Sequence, residues 1–295
     1  MNILVTGANG FLGHYLCGQL LNGGYEVVAT GRGICRLPYT SNRNFVYVEM
    51  DFTDQEAVNS IFRKHRPAII IHAGAISKPD ECELDRSTAY KINTEATAAL
   101  LSEAAEYKSS FIYMSTDFVF DGEQGMYTEE DITKPVNFYG QTKLDAEKIV
   151  KQYRYRWSIV RTVLVYGKPM AGRSNILTIV REKLERGEEY KVVDDQVRTP
   201  TYVEDLAVAI VSIVKNKANG IFHISGADVL TPYEMACKAA DYLHLNKELI
   251  KRVTADTFCQ PAKRPPRTGF IIDKARKELN FSPISFSEGL KKTFE

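Results

Sequence analysis

The chain has 295 residues, 44% of them hydrophobic and 25% charged, with a formal net charge of +1. This is ordinary globular usage: it argues against disorder and leaves room for one large α/β unit, or a main domain with a smaller one attached. The balanced charge gives no global attraction to nucleic acid or an anionic membrane, and no apolar run approaches the ~20 residues that span a bilayer, so neither is expected as a partner.

Met1-Asn2 leads straight into an apolar run, without a basic lead or a small-residue cleavage site, which predicts a soluble cytoplasmic protein. Runs at Ile3–Thr6, Glu26–Thr30, Phe45–Val48, Ala68–His72, Phe111–Met114 and Ser158–Arg161 read as buried parallel strands. Helical patterns lie between them at Phe11–Leu21, Gln55–His65, Arg86–Tyr107 and Phe138–Tyr153. Strand, crossover helix, strand, repeated, predicts an α/β fold with a doubly wound parallel sheet, whose ligands bind at the carboxyl ends of the strands.

After Gly167 the rhythm loosens. Helices are predicted at Asn175–Arg186, Val203–Lys215 and Pro232–Leu243, a strand at Ile221–Ile224, and a rigid basic loop at Lys263-Arg264-Pro265-Pro266-Arg267. The expected organisation is a nucleotide-binding domain over 1–166, with 199–224 returning to it, and a smaller substrate-binding lobe within 167–295 packed over the sheet's edge. The five cysteines (Cys17, Cys35, Cys82, Cys237, Cys259) are scattered, with no pair at metal-ligand spacing, and the five histidines form no cluster. Reduced thiols and no metal site are expected. The acids Glu129, Glu130 and Asp131 read as a solvated loop. A homodimer is left open, since no self-complementary patch can be read.

Two motifs carry the chemistry. Thr6-Gly7-Ala8-Asn9-Gly10-Phe11-Leu12-Gly13 follows the first predicted strand and opens the first helix. In that context Gly7 permits a tight turn, Gly10 admits a pyrophosphate and Gly13 brings helix and sheet together, while the helix N-terminus offers free N–H groups, as in a Rossmann dinucleotide site. After the second strand stands Thr30-Gly31-Arg32-Gly33, with no acid for the ribose hydroxyls. Arg32 can meet a 2′-phosphate instead, which favours NADP(H) while leaving NAD(H) open. Asp51 and Phe52 are placed to touch the adenine, and Ala73-Gly74-Ala75 to lie against the cofactor.

The second motif is Tyr139-Gly140-Gln141-Thr142-Lys143, downstream of Ser115-Thr116-Asp117. Tyr139 and Lys143 share a helix face. A free phenol, with a pKa of about 10, is a poor base near neutrality. The ammonium is expected to lower that value, letting Tyr139 exchange a proton with a carbonyl oxygen while Thr116 polarises it. Lys143 can also hydrogen-bond the nicotinamide ribose. Asn93 either holds a backbone kink near the site or is a plain polar helix residue.

This ordered set resembles the extended short-chain dehydrogenase/reductase family. The stretch Ser115 to Gly122, with Tyr127, Glu129, Asp131, Pro135, Asn137 and Tyr139-Gly140, is similar to its dTDP-4-dehydrorhamnose reductase branch. The resemblance implies reduction of a 4-keto group on a nucleotide-activated deoxysugar, with Thr116, Tyr139 and Lys143 as the catalytic set. On the substrate side it assigns Asp117, Phe120, Asn175, Gln196, Arg198 and Arg264. Arg198, Lys263, Arg264 and Arg267 can also supply donors to two phosphate charges. The segment Arg32 to Asn44 is longer than in compact members of the branch. Gly220-Ile221-Phe222-His223-Ile224-Ser225-Gly226 with Pro232-Tyr233-Glu234-Met235-Ala236 resembles the regulatory β subunit of methionine adenosyltransferase, which binds NADP and a partner enzyme. A non-catalytic regulatory subunit, or a nucleotide-sugar epimerase or dehydratase, therefore stands as the alternative. A dehydratase would want two carboxylates beside the threonine, and Asp117-Phe118 supplies one.

Overall fold

Largely apolar segments, all but the edge strand at Phe45–Glu49 buried on both faces, form the centre of the molecule. In the computed structural model, which describes residues 1–170 and 174–295, these are β1 (Asn2–Thr6), β2 (Glu26–Gly31), β3 (Phe45–Glu49), β4 (Ile69–His72), β5 (Ser110–Thr116) and β6 (Trp157–Thr162). Two short strands, β7 (Val165–Tyr166) and β9 (Thr201–Tyr202), pair with each other, and β8 (Tyr190–Val193) pairs with β11 (Ile250–Val253). β10 (Gly220–Ile224) completes the main sheet beside β6. That sheet has seven parallel strands in the order β10-β6-β5-β4-β1-β2-β3. The order reverses between β1 and β4, and a crevice for a ligand opens at their carboxyl ends.

Successive strand residues point to opposite faces. Ile3 and Val5 pack with α1 (Phe11–Asn22) on one face, joined by α8 (Val203–Asn216) through Leu206, Ala207 and Ile210. Leu4, Ile70, Phe111 and Tyr113 meet α2 (Gln55–His65), α5 (Ala96–Glu106) and α6 (Phe138–Lys151) on the other. A separate apolar cluster holds the C-terminal segments: Leu177 and Val180 of α7 (Ile176–Glu185), Met235 and Ala239 of α9 (Pro232–Tyr242), and Leu290 of α11 (Phe286–Phe294). α10 (Asp273–Leu279) packs on α8 and β10 instead.

The helix expected over Arg86–Tyr107 is present with αR backbone at every internal junction, but it holds a π-helical turn. It divides into α4 (Arg86–Tyr90), a π-helical turn at Lys91–Glu95, and α5, with the short α3 (Pro79–Leu84) ahead of it. Asn93 lies in this π turn, and its amide donates to the Ile76 carbonyl (3.0 Å) and the Thr142 hydroxyl (3.1 Å) while accepting from Ile76 N–H (2.9 Å). Such π turns recur at functional sites.

Between α6 and β6 lies a buried ion pair. Glu147 Oε2 accepts from Arg161 Nη2 (2.7 Å), and Oε1 accepts from Arg161 Nε (2.9 Å) and the Ser115 hydroxyl (2.6 Å). Both side chains are fully enclosed. Removing one partner strands the other charge away from water. Glu147→Ala is therefore expected to cost about 3–5 kcal/mol in urea unfolding, and a matched apolar replacement of both residues to restore most of it.

Candidate active site

Gly7 ends β1 at φ +69°, and a Cβ there would lie 2.8 Å from the backbone of Ala73 and Gly74, so neither the turn nor the strand approach tolerates a side chain. The chain then enters α1 through Gly10, with Phe11 and Leu12 as its first residues and Gly13 buried in the first turn. No side chain caps this terminus. Its N–H groups face the turn, which suits an anionic pyrophosphate.

The Asn9 side chain is engaged elsewhere than in that turn. The amide donates to the carbonyls of Arg32 (3.2 Å) and Ile34 (3.0 Å) and to the Tyr47 hydroxyl (2.7 Å), and accepts from Arg36 N–H (3.0 Å). It is a brace for the loop that carries Arg32, whose side chain is exposed. Phe52 lies over Gly74, where a Cβ would come within 2.5 Å of its ring. Ala73 and Ala75 are half-buried on either side. Burial pushes the Asp51 carboxyl up, but hydrogen bonds from Thr53 and the charges of Arg32 and Lys91 outweigh it and hold it below its usual range. His72 ties the switch point together, its ring paired with Thr6 (2.6 Å) and Thr97 (3.1 Å), and burial drives its pKa down to about 3, so it is neutral.

Thr116 ends β5, and Tyr139 stands in the first turn of α6, whose start is capped by Asn137 accepting from Gly140 N–H (2.8 Å). A Cβ on Gly140 would run into the Phe118 carbonyl, so glycine lets the helix end settle on the strand end. This brings Thr116 close enough to Tyr139 for its hydroxyl to favour the ionised phenol. Thr116 also donates to Asp117 Oδ1 (3.0 Å) and accepts from Phe118 N–H (3.2 Å).

The electrostatics differ from the expected phenolate–ammonium pair. Burial pushes the Tyr139 phenol well above its usual value, Asp117 and Cys82 add to this, and only the Thr116 hydroxyl opposes it. Burial also pushes Lys143 down, to about 7, against the pull of Glu147 and Cys82. Desolvation outweighs the attraction between the two groups in this site. Tyr139 holds its proton, and Lys143 sits near the middle of its titration.

The residues assigned to the substrate side all have partners within the protein. Arg198 is buried, with Nη1 donating to the Val197 (2.8 Å) and Pro266 (3.1 Å) carbonyls and Nη2 to Gln196 Oε1 (3.1 Å) and the Pro265 carbonyl (2.8 Å). It is a strut for the 265–266 turn, and Gln196 is one of its acceptors. Arg264 grips Asp80 with both terminal nitrogens, each at 2.6 Å, and so ties the basic loop to α3. Asn175 caps α7 with its carbonyl oxygen and donates to the Gly167 carbonyl (2.7 Å). Phe120 is a core ring stacked on Tyr127 at 4.1 Å. Asp117 is enclosed between Thr116 and Thr268, and burial raises its carboxyl despite nearby Arg198. Lys263 and Arg267 remain exposed beside the site. Asp80 and Thr268 went unread in the sequence because their partners are distant; Asp80 and Arg264 are 184 positions apart.

The whole chain, residues 1–295, matches the family described as RmlD substrate binding domain. It is 32% identical to mouse methionine adenosyltransferase 2 subunit beta over 99% of this chain and 86% of that protein. It is 30% identical to the dTDP-4-dehydrorhamnose reductase of Aggregatibacter actinomycetemcomitans, covering 98% of this chain and 97% of that one. Among solved structures, dTDP-4-dehydrorhamnose reductase from Bacillus anthracis in complex with NADP superposes with a TM-score of 0.87 at 29% identity, covering 99% and 98% of the two chains.

Two outcomes are expected. Asn9→Ala should weaken NADPH binding by about tenfold in a fluorescence titration and NADH binding less, since it frees the loop carrying Arg32. Because Lys143 loses its charge as pH rises, NADPH affinity should fall between pH about 6 and about 9, and Lys143→Met should flatten that dependence.

Proposed function

The chain belongs to the RmlD substrate binding domain family, and we propose that it is an NADPH-dependent reductase of the 4-keto group of a nucleotide-activated deoxysugar, dTDP-4-dehydro-L-rhamnose to dTDP-L-rhamnose above others. The observation that carries this reading is the placement of buried Tyr139, in the first turn of α6, beside Thr116 at the carboxyl end of β5 and one helical turn from buried Lys143. The glycine turn and the N-terminus of α1 hold the pyrophosphate, Arg32 meets the 2′-phosphate, and Lys143 engages the nicotinamide ribose. Bound NADPH supplies the hydride. Tyr139 gives its phenolic proton to the keto oxygen, and its burial keeps that proton in place until the substrate arrives. Thr116, at the strand end beside Tyr139, polarises the same oxygen. Lys263 and Arg267, exposed beside the site, take the phosphate-binding part once assigned to Arg198 and Arg264.

A second reading has its own support. The likeness to methionine adenosyltransferase 2 subunit beta runs over 99% of this chain at 32% identity, which favours a subunit that binds NADP and an adenosyltransferase without turning over a sugar.

One experiment separates them. With NADPH and dTDP-4-dehydro-L-rhamnose, reduced-nicotinamide absorbance should fall, and Tyr139→Phe should lower kcat by about 100-fold or more while leaving NADPH affinity nearly unchanged. A wild-type protein that binds NADPH, oxidises it with no nucleotide ketosugar, and co-elutes with an adenosyltransferase would establish the second reading.

A further inference from the structure

Lys143 is 3% exposed, and a buried ammonium needs a partner. Among the described residues none takes a hydrogen bond from it. The groups that face it come from its own helix and from three other elements. Glu147, one turn on, is already bonded through both oxygens to Arg161 and through one to Ser115. The Cys82 thiol of α3 is pushed up to about 11 and is therefore neutral. His72 of β4 and Tyr139 are likewise uncharged. What lies under the ammonium is the ring of Tyr113, with Nζ 4.1 Å from its centroid.

We infer that Tyr113 is the positioning residue of this site, seating and aiming the Lys143 ammonium through its ring face. The inference rests on Lys143 facing the cofactor as proposed above. Tyr113 is fully enclosed on β5, three residues before Thr116, so the strand that places the Thr116 hydroxyl also places this seat. Its own phenol is held far above its usual value by burial and by Glu147, so the attraction is that of a neutral ring's negative face for a cation. A ring face suits the task because it stabilises charge without occupying the ammonium's three N–H donors, which stay available to ribose hydroxyls.

The test is the titration of Lys143, followed by magnetic resonance on isotope-labelled lysine side chains in the cofactor-free protein. Its signal is identified by its loss in Lys143→Met. Tyr113→Phe keeps the ring face and should leave the midpoint where it is. Tyr113→Leu should lower it by about one pH unit, the equivalent of a desolvated cation–π contact. Should Tyr113→Leu fail to fold, phenylalanines carrying one, two or three fluorines at position 113 keep the shape, and the midpoint should step down with each fluorine. The pH dependence of NADPH affinity should move in parallel. Identical midpoints for all ring variants would overturn the inference. Shifted midpoints with no ketosugar turnover would leave it standing and defeat the reductase reading alone.

Discussion

Tyr139, Lys143 and Glu147 recur at four-residue intervals along α6, so they form one stripe, and that stripe faces β5 where a helix ordinarily turns apolar side chains. Burying three polar groups in a row is the constraint on which the site depends. Each is compensated by a different device. The Tyr139 hydroxyl has Thr116, the Lys143 ammonium has the Tyr113 ring, and Glu147 has Arg161 and Ser115. Three of those partners, Tyr113, Ser115 and Thr116, lie within four consecutive residues of one strand. Helix and strand cannot slide past one another without exposing several unmatched groups at once. Gly140 sets the close approach that makes this matching possible, and Asn137 fixes where the helix begins.

The cofactor end is held by the same kind of accounting. The β1–β4 switch point has a buried neutral histidine bonded to Thr6 and Thr97, and the loop bearing Arg32 is braced by three hydrogen bonds to Asn9, which also donates to Tyr47 of β3. Neither side chain needs to touch the cofactor to matter for binding. Rigid second-line contacts of this sort lower the ordering cost that the bound state must bear.

What was legible in the sequence is what local pattern encodes. Gln55–His65 was read with the bounds it has in the structure, and the six early strands fall within two residues of theirs, because runs buried on both faces leave little ambiguity. The strands β7, β8, β9 and β11, of two to four residues, were not legible, since their identity comes from partners and not from their own composition. The same limit explains the site. Tyr139, Lys143 and Thr116 follow from short spacing and a strand end. Arg198 and Arg264 were read as substrate-facing because they match the reductase branch's substrate side and could supply donors to two phosphate charges. Instead, carbonyls of the basic loop engage Arg198 and the Asp80 carboxylate engages Arg264. Sequence names a donor; only the fold says which acceptor reaches it first.

The protonation states bear on the direction of chemistry. Spacing alone suggested a phenol acidified by its neighbour, a base that could take a proton. Burial reverses this: the phenol is held in its neutral form, and the lysine is the group brought near neutrality. A site that rests with its proton on Tyr139 is prepared to donate one to an oxygen that is gaining charge, which is the demand of carbonyl reduction. Running the same site as an alcohol oxidase would require a phenolate in a place that desolvation makes costly, and the nearby Asp117, itself raised by burial, would only add to that cost once ionised.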